Sequence, residues 1–130
     1  MIRGLAINQF GLYGISIASS NNTIAGNYIG LDVTGTLDLG NGSDGISITG
    51  SSNTIGGLTT ADRNVISGNA RDGIRISGAD NNIVIGNYIG LNADGNLAVG
   101  NSNVGVIILS GSNNTIGGST SSARNVISGN

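Results

Sequence analysis

The chain repeats itself at long range, and this repetition limits its fold more than any other feature. The segment NNTIAGNYIGLDVTG from Asn21 recurs as NNIVIGNYIGLNADG from Asn81, at an offset of 60 residues. The segment TIGGLTTADRNVISGN from Thr54 recurs as TIGGSTSSARNVISGN from Thr115, at an offset of 61. Shorter motifs, GIxI or GVII, recur at intervals of 31, 28 and 32 residues, beginning at Gly14, Gly45, Gly73 and Gly105. We therefore predict a solenoid whose unit is about 30 residues long.

Each unit contains three short β-type motifs: GIxI, then NTI, then NYI or NVI. Apolar residues alternate in them, as in half-buried strands. The chain has 19 Asn, 19 Ile and 24 Gly but no Lys, Glu or Pro, which favours turns and β-branched strands over helices. Stacked units would pair each strand with its equivalents above and below. Because parallel crossovers are overwhelmingly right-handed, we predict an all-β fold, a right-handed parallel β-helix of about four coils.

The whole chain, residues 1–130, is predicted to form this single β-helix domain. The four coils are expected at roughly 14–44, 45–72, 73–104 and 105–130. A partial coil, 1–13, precedes them, with IRGLAINQFGLY in the place of a third strand. Inserted loops are expected to project into solvent after the third strand, at 31–44 and 91–104, and before it, at 56–63 and 117–124.

Stacking in register would place like residues on like, in ladders that run through the coils. Four aliphatic ladders are predicted to fill the interior: Ile15, Ile46, Ile74, Val106; Ile17, Ile48, Ile76, Ile108; Ile24, Ile55, Val84, Ile116; and Ile7, Ile29, Ile66, Ile89, Ile127. Two Asn ladders are predicted at the corners: Asn22, Asn53, Asn82, Asn114 and Asn27, Asn64, Asn87, Asn125. Inward Asn side chains can satisfy corner backbone groups and bond to the next coil.

The repeats NNTIxGNYIG, NTIGG and RNVISGN resemble those of bacterial pectin-lyase-like β-helix repeat proteins, and the resemblance covers nearly the whole chain. It implies a segment of a large secreted or surface protein, hence an extracellular or cell-surface location for the parent protein. The start MIRGLAINQF lacks a charged leader followed by an apolar run, so we expect no signal peptide in this chain. The same coil serves lyases, hydrolases, adhesins and spacers, so the resemblance predicts the fold better than the function.

Catalysis in that family is carried by a carboxylate cluster, often with Lys, Arg or His, on one outer sheet. The nearest feature here is Asp44 and Asp72, which precede consecutive GIxI strands. A glycosidase pair would need two carboxyl groups at a defined spacing across a sugar. We expect instead that both aspartates end loops and pair with Arg71 or Arg75. The sequence thus predicts no enzyme, no catalytic residue and no cofactor.

No metal site is predicted, although calcium binding in the loops 31–44 and 91–104 stays open. LNADGN presents Asn92, Asp94 and Asn96 at alternate positions, in part like an oxygen-ligand calcium loop. The sister loop reads LDVTGT, and both loops lack the terminal acidic ligand.

Two sets of outward residues are candidates for contacts with other molecules. Tyr28 and Tyr88 are equivalent and two coils apart, roughly 10 Å, which suits two sugar subsites. Four isoleucines are candidates for an interface: Ile83, Ile85, Ile107 and Ile127. Either the first three form an exposed patch or a loop such as 91–104 covers them, and the sequence does not decide between these alternatives.

Five Arg against seven Asp give a net charge of −2, so neither nucleic acid nor a membrane is an expected partner. Open third-strand ends lead us to expect self-association through the coil ends. We expect a non-catalytic structural or self-assembling β-helix repeat module. The alternative is a carbohydrate-binding module related to polysaccharide-active β-helix enzymes.

Overall fold

The computed structural model describes the whole chain, Met1–Asn130, and consists almost entirely of short β-strands and turns. The strands are β1 Ile2–Arg3, β2 Ala6–Ile7, β3 Ile15–Ile17, β4 Thr23–Ala25, β5 Tyr28–Ile29, β6 Ile46–Ile48, β7 Thr54–Gly56, β8 Val65–Ile66, β9 Ile74–Ile76, β10 Ile83–Ile85, β11 Tyr88–Ile89, β12 Val106–Ile108, β13 Thr115–Ile116 and β14 Val126–Ile127. Two single-turn 3-10 helices, Thr60–Asp62 and Ser121–Ala123, lie in the inserts that precede β8 and β14.

Each strand pairs in parallel with the strand three places further along the chain. Three sheets result: the β1 sheet (β1, β4, β7, β10, β13), the β2 sheet (β2, β5, β8, β11, β14) and the β3 sheet (β3, β6, β9, β12). This ladder of short parallel strands confirms the predicted β-solenoid type of architecture. Because a strand of two or three residues makes few hydrogen bonds, each layer depends on the layers above and below it.

The predicted aliphatic ladders are confirmed by the strand register. Ile46, for example, lies directly between Ile15 and Ile74, and Ile66 lies between Ile29 and Ile89. Thirteen side chains form one buried apolar cluster inside the three sheets, and most of them have no exposed surface. Each fully buried aliphatic side chain of this kind stabilises the fold by roughly 1.5–3 kcal/mol.

The N-terminal segment contains two strands where the sequence analysis placed one. Ile2 in β1 pairs with Ile24, so it extends a ladder of second strands that the prediction began at Ile24. Ile7 in β2 pairs with Ile29, in the predicted ladder of third strands. A corner of two residues, Gly4 and Leu5, separates β1 from β2 and leaves room for both.

The long inserts project only in part. Isolated antiparallel bridges, Leu31 with Asp38 and Leu91 with Ala98, close the projecting portion of each. The following stretch turns back into the stack, where Asn41 and Asp44 are buried. The prediction that 31–44 projects throughout is therefore wrong for its last residues, because they form a third corner of the solenoid.

Candidate functional site

Asparagine side chains hold the corners together in continuous ladders. The Oδ1 atom of Asn64 accepts hydrogen bonds from both the backbone N–H and the Nδ2 group of Asn27, each at 3.0 Å. Asn53 accepts the same pair of bonds from Asn22. Both predicted Asn ladders are therefore confirmed, since the pattern continues to Asn114 and Asn125.

A third Asn ladder occupies the corner after the third strands, and the sequence analysis missed it. Its members are Asn41, Asn69, Asn101 and Asn130, joined by the same paired hydrogen bonds. The dipeptide Gly-Asn at each of these positions, recurring at intervals of 28, 32 and 29 residues, was the signal that could have revealed it. The buried amides are thus used in stacking the layers.

In each ladder, the Asn of one layer donates to the Asn of the following layer. In the N-terminal layer, two ladder positions carry other residues. Leu5 stands where Asn27 stands one layer later, and its N–H donates to Asn27 Oδ1 at 3.1 Å. Phe10 stands in the same way before Asn41, with its N–H 3.1 Å from Asn41 Oδ1. Neither Leu5 nor Phe10 offers an amide oxygen to a layer on its other side, so both end their ladders.

The two carboxylates singled out in the sequence lie stacked and fully buried. Asp44 Oδ1 accepts from the N–H of Asp72 at 3.2 Å, and Asp72 Oδ1 accepts from Asn103 Nδ2 at 2.7 Å. Arg75 Nη1 lies 3.4 Å from Asp72 Oδ2, which is the predicted pairing for one of the two aspartates. Asp44 Oδ2 is buried without a hydrogen-bond partner. Both carboxylates therefore take part in the hydrogen bonds of the corner.

In the projecting loops, Asp32 and Asn92 accept hydrogen bonds from their own loop, whereas the Asp94 carboxylate accepts none. The Asp32 carboxylate accepts from the N–H groups of Thr36 and Leu37, both at 3.0 Å, and from the Thr34 hydroxyl at 2.7 Å. The Leu37 N–H, followed by the Thr34 hydroxyl, lowers the pKa of Asp32 well below its usual range. Asn92 closes the sister loop with the equivalent bonds. No group of three or more His, Cys, Asp or Glu side chains lies close enough to hold a metal ion.

The outer face of the β2 sheet carries one row of side chains that crosses the strands. Along the row, Tyr28 pairs in register with Ala6 on one side and Val65 on the other, and Val65 pairs with Tyr88. The two tyrosines are therefore two strands apart, as the sequence predicted. Glycines of the projecting loops lie close to both rings. A Cβ added to Gly35 would lie within about 3 Å of the Tyr28 ring, and one added to Gly95 would lie within the same distance of the Tyr88 ring.

A groove of about 560 Å³ opens beside Tyr28, and we take it as the candidate site. Its floor is the row Ala6, Tyr28 and Val65. One wall is the 3-10 segment with Thr60, Ala61 and Arg63, and the other carries Val33 and Ala93 from the two projecting loops. Those loops stack on each other through the Ala93 N–H and the Gly35 carbonyl, 2.9 Å apart. Tyr28 lines this groove and Tyr88 does not.

Arg63 is held in place between the groove and Tyr88. Its guanidinium carbon lies 4.0 Å from the centre of the Tyr88 ring, a cation–π contact, and its Nε donates to the Gly86 carbonyl at 3.3 Å. The face of Tyr88 is thus occupied by an arginine, a partner that the sequence analysis did not foresee.

The four candidate interface isoleucines lie on different sheets. Ile83 and Ile85 belong to β10 in the β1 sheet, Ile107 to β12 in the β3 sheet, and Ile127 to β14 in the β2 sheet. Ile83 stays 39% exposed, so the loop 91–104 does not cover it. The structure does not bring these four side chains onto one face.

Comparison of the chain with protein-family models, with curated proteins and with solved structures finds no match. The structure contains no helix of the length and apolar character needed to cross a bilayer.

Proposed function

We propose that the chain is a non-catalytic structural module: a right-handed parallel β-helix of about four coils, of the pectin-lyase-like kind. In this proposal it extends or spaces a secreted or surface protein, and its corner residues serve stacking. Right-handedness follows from the strong preference of parallel crossovers. The family and the extracellular location follow from the likeness of the repeats NNTIxGNYIG and RNVISGN.

One observation supports the structural role: in three Asn ladders, buried side-chain amides form hydrogen bonds from layer to layer. Asn27, Asn64, Asn69 and Asn87 are fully buried, and each is bonded to the corresponding Asn of the next layer. A buried amide without a hydrogen-bond partner destabilises the folded protein by several kcal/mol. Pairing along the ladders avoids this cost and fixes the register of the strands.

We further propose that the polypeptide self-associates through the edge formed by β12, β13 and β14. There the inward-facing Ile108, Ile116 and Ile127 are 40%, 38% and 46% exposed, whereas Ile15 and Ile17 in β3, at the opposite edge, are 6% and 5% exposed. The backbone N–H groups of Asn114 and Asn125 make no hydrogen bond within the chain. A strand added to this edge, from any polypeptide, would bury these side chains.

In this proposal, a second copy meets the edge across a twofold axis. With the axis through β12, that strand would lie antiparallel to its own copy, and β13 would lie beside β14 of the other copy. Such an interface is self-complementary and closes at two subunits.

Light scattering over a wide dilution series tests this role. The wild-type mass should rise with concentration to twice the chain mass, and Ile116→Asp at the edge should keep the protein monomeric. Ile83→Asp, an equally exposed isoleucine on the side of the stack, is the matched control and should still dimerise. A monomer at every concentration, or a dimer that survives Ile116→Asp, would refute association through this edge.

Carbohydrate binding is the second candidate, favoured by the aromatic ring of Tyr28 in the groove. A glycan array tests it. Binding that disappears in Tyr28→Ala would support a carbohydrate-binding module, and an array without signal would remove the candidate.

A further inference from the structure

The groove beside Tyr28 contains a cation that the protein leaves unpaired. The chain has two ion pairs, Arg3 with Asp62 and Arg75 with Asp72, and Arg63 belongs to neither. Stacking on Tyr88 and the bond to the Gly86 carbonyl fix the guanidinium, while both of its Nη groups have no hydrogen-bond partner in the protein. A guanidinium fixed in this way presents its remaining N–H donors without further loss of side-chain freedom.

The acidic residue beside this cation is already engaged elsewhere. Asp62 accepts from Arg3 Nη1 at 2.7 Å and from the Thr59 hydroxyl at 2.6 Å. The Thr59 hydroxyl, followed by Arg3, lowers the pKa of Asp62, so this carboxylate stays ionised and paired. Arg63 is therefore the uncompensated charge of the groove, and it is positive in a chain whose net charge is −2.

Seven of the eleven residues that line the groove are apolar, while polar atoms make up the larger part of its accessible lining. Leu5, Ala6, Val33, Val65 and Ala93 line it together with the Tyr28 ring. Its volume of about 560 Å³ is in the range of small-molecule sites. The apolar side chains favour a hydrocarbon or aromatic body, and the polar atoms beside them favour a polar head group.

We propose that this groove binds a small amphiphilic carboxylate, with the apolar body over Tyr28 and Val65 and the carboxylate on the Nη groups of Arg63. The site lies on the outer face of the β2 sheet, so it does not depend on the Asn ladders or on self-association. It adds a ligand to a module for which we propose a structural role.

Titration with 4-phenylbutyrate, followed by NMR chemical shifts, tests the proposal, with 4-phenylbutan-1-ol as the uncharged probe. The acid should bind with shifts at Val33 and Val65 and at least about tenfold more tightly than the alcohol, the effect of one charge-assisted hydrogen bond. Arg63→Gln should reduce acid binding about tenfold or more and leave alcohol binding unchanged. Arg71→Gln, at an exposed arginine without an ion pair, is the matched control and should bind like the wild type.

A second variant changes the shape of the groove and leaves its charge unchanged. Ala93→Leu fills the groove from its wall and should abolish binding of both probes while Arg63 stays in place; melting temperatures equal to that of the wild type would show that both variants fold. Equal binding of acid and alcohol, unchanged acid binding by Arg63→Gln or Ala93→Leu, or no binding by the wild type would each overturn the proposal.

Discussion

Asn64 and Asn87, 23 residues apart in the chain, are joined by two hydrogen bonds to one atom: Asn87 Oδ1 accepts from the Asn64 backbone N–H at 3.2 Å and from its Nδ2 at 2.9 Å. Nδ2 of Asn64 also donates to the Ile24 carbonyl at 2.8 Å, in the preceding layer. One side chain therefore links three successive layers. This linkage explains how strands of two or three residues keep a single register.

Removing an interior Asn should cost more stability than removing one at the edge. Asn64→Ala leaves buried donors and acceptors unpaired in the layers on both sides, with an expected loss of about 3–5 kcal/mol. Asn125→Ala, the matched variant in the same ladder, removes bonds to the preceding layer alone and should lose about half as much. Urea unfolding of both variants gives the comparison, and equal losses would count against the layer-to-layer linkage.

Extending a ladder at the N-terminal layer should be tolerated or stabilising. In Leu5→Asn the new Nδ2 can donate to Asn27 Oδ1, as Asn27 itself donates to Asn64, for a gain of up to about 1 kcal/mol. Leu5→Ala is the control, because it removes the same apolar side chain without adding an amide. A melting temperature for Leu5→Asn no higher than that of Leu5→Ala would show that position 5 is not a ladder position.

Asp44 should be replaceable by Asn but not by Ala. Asn keeps an Oδ1 atom for the Asp72 N–H, and its Nδ2 replaces the buried carboxyl oxygen that has no partner. Ala leaves the Asp72 N–H unpaired, at a cost of about 1–3 kcal/mol. Thermal unfolding should place Asp44→Asn at or above the wild type and Asp44→Ala below it, and the reverse order would contradict this account of the corner.

Acidification should weaken the first projecting loop through Asp32. Because the folded protein lowers the pKa of Asp32 from its ordinary 3.8, the contribution is complete above that value and is lost as the pH falls through the folded pKa. The wild type should therefore melt higher than Asp32→Asn near neutral pH, with the difference shrinking below about pH 4. Asp94→Asn is the control, since the Asp94 carboxylate accepts no hydrogen bond. A difference between wild type and Asp32→Asn that does not change with pH would refute this role.

Much of the fold could be predicted because the repeat itself encodes the register. Once Gly14, Gly45, Gly73 and Gly105 are aligned, the positions of the interior isoleucines and of two Asn ladders follow by counting. The third ladder was missed because Asn41 and Asn101 were counted as parts of inserts, where solvent exposure was assumed. β1 was missed because only one of its two residues, Ile2, matches the repeat.

The candidate site was less predictable, since it depends on contacts between loops of different length. Tyr28 and Tyr88 have the same sequence context, yet Tyr28 lines the groove while Tyr88 lies under Arg63. Arg63 reaches Tyr88 from the preceding insert, across 25 residues of sequence, and no periodicity relates the two. Alternation predicted which side chains point outward, whereas the groove depends on how the inserts fold over them.

Hydrogen exchange of the Asn side-chain amides tests whether these ladders hold the stacked layers together. We expect the Nδ2 protons of Asn27, Asn64, Asn69 and Asn87 to exchange only when the protein unfolds, far more slowly than those of the exposed Asn96 and Asn113. Exchange of the four ladder amides as fast as that of the two exposed ones would contradict it.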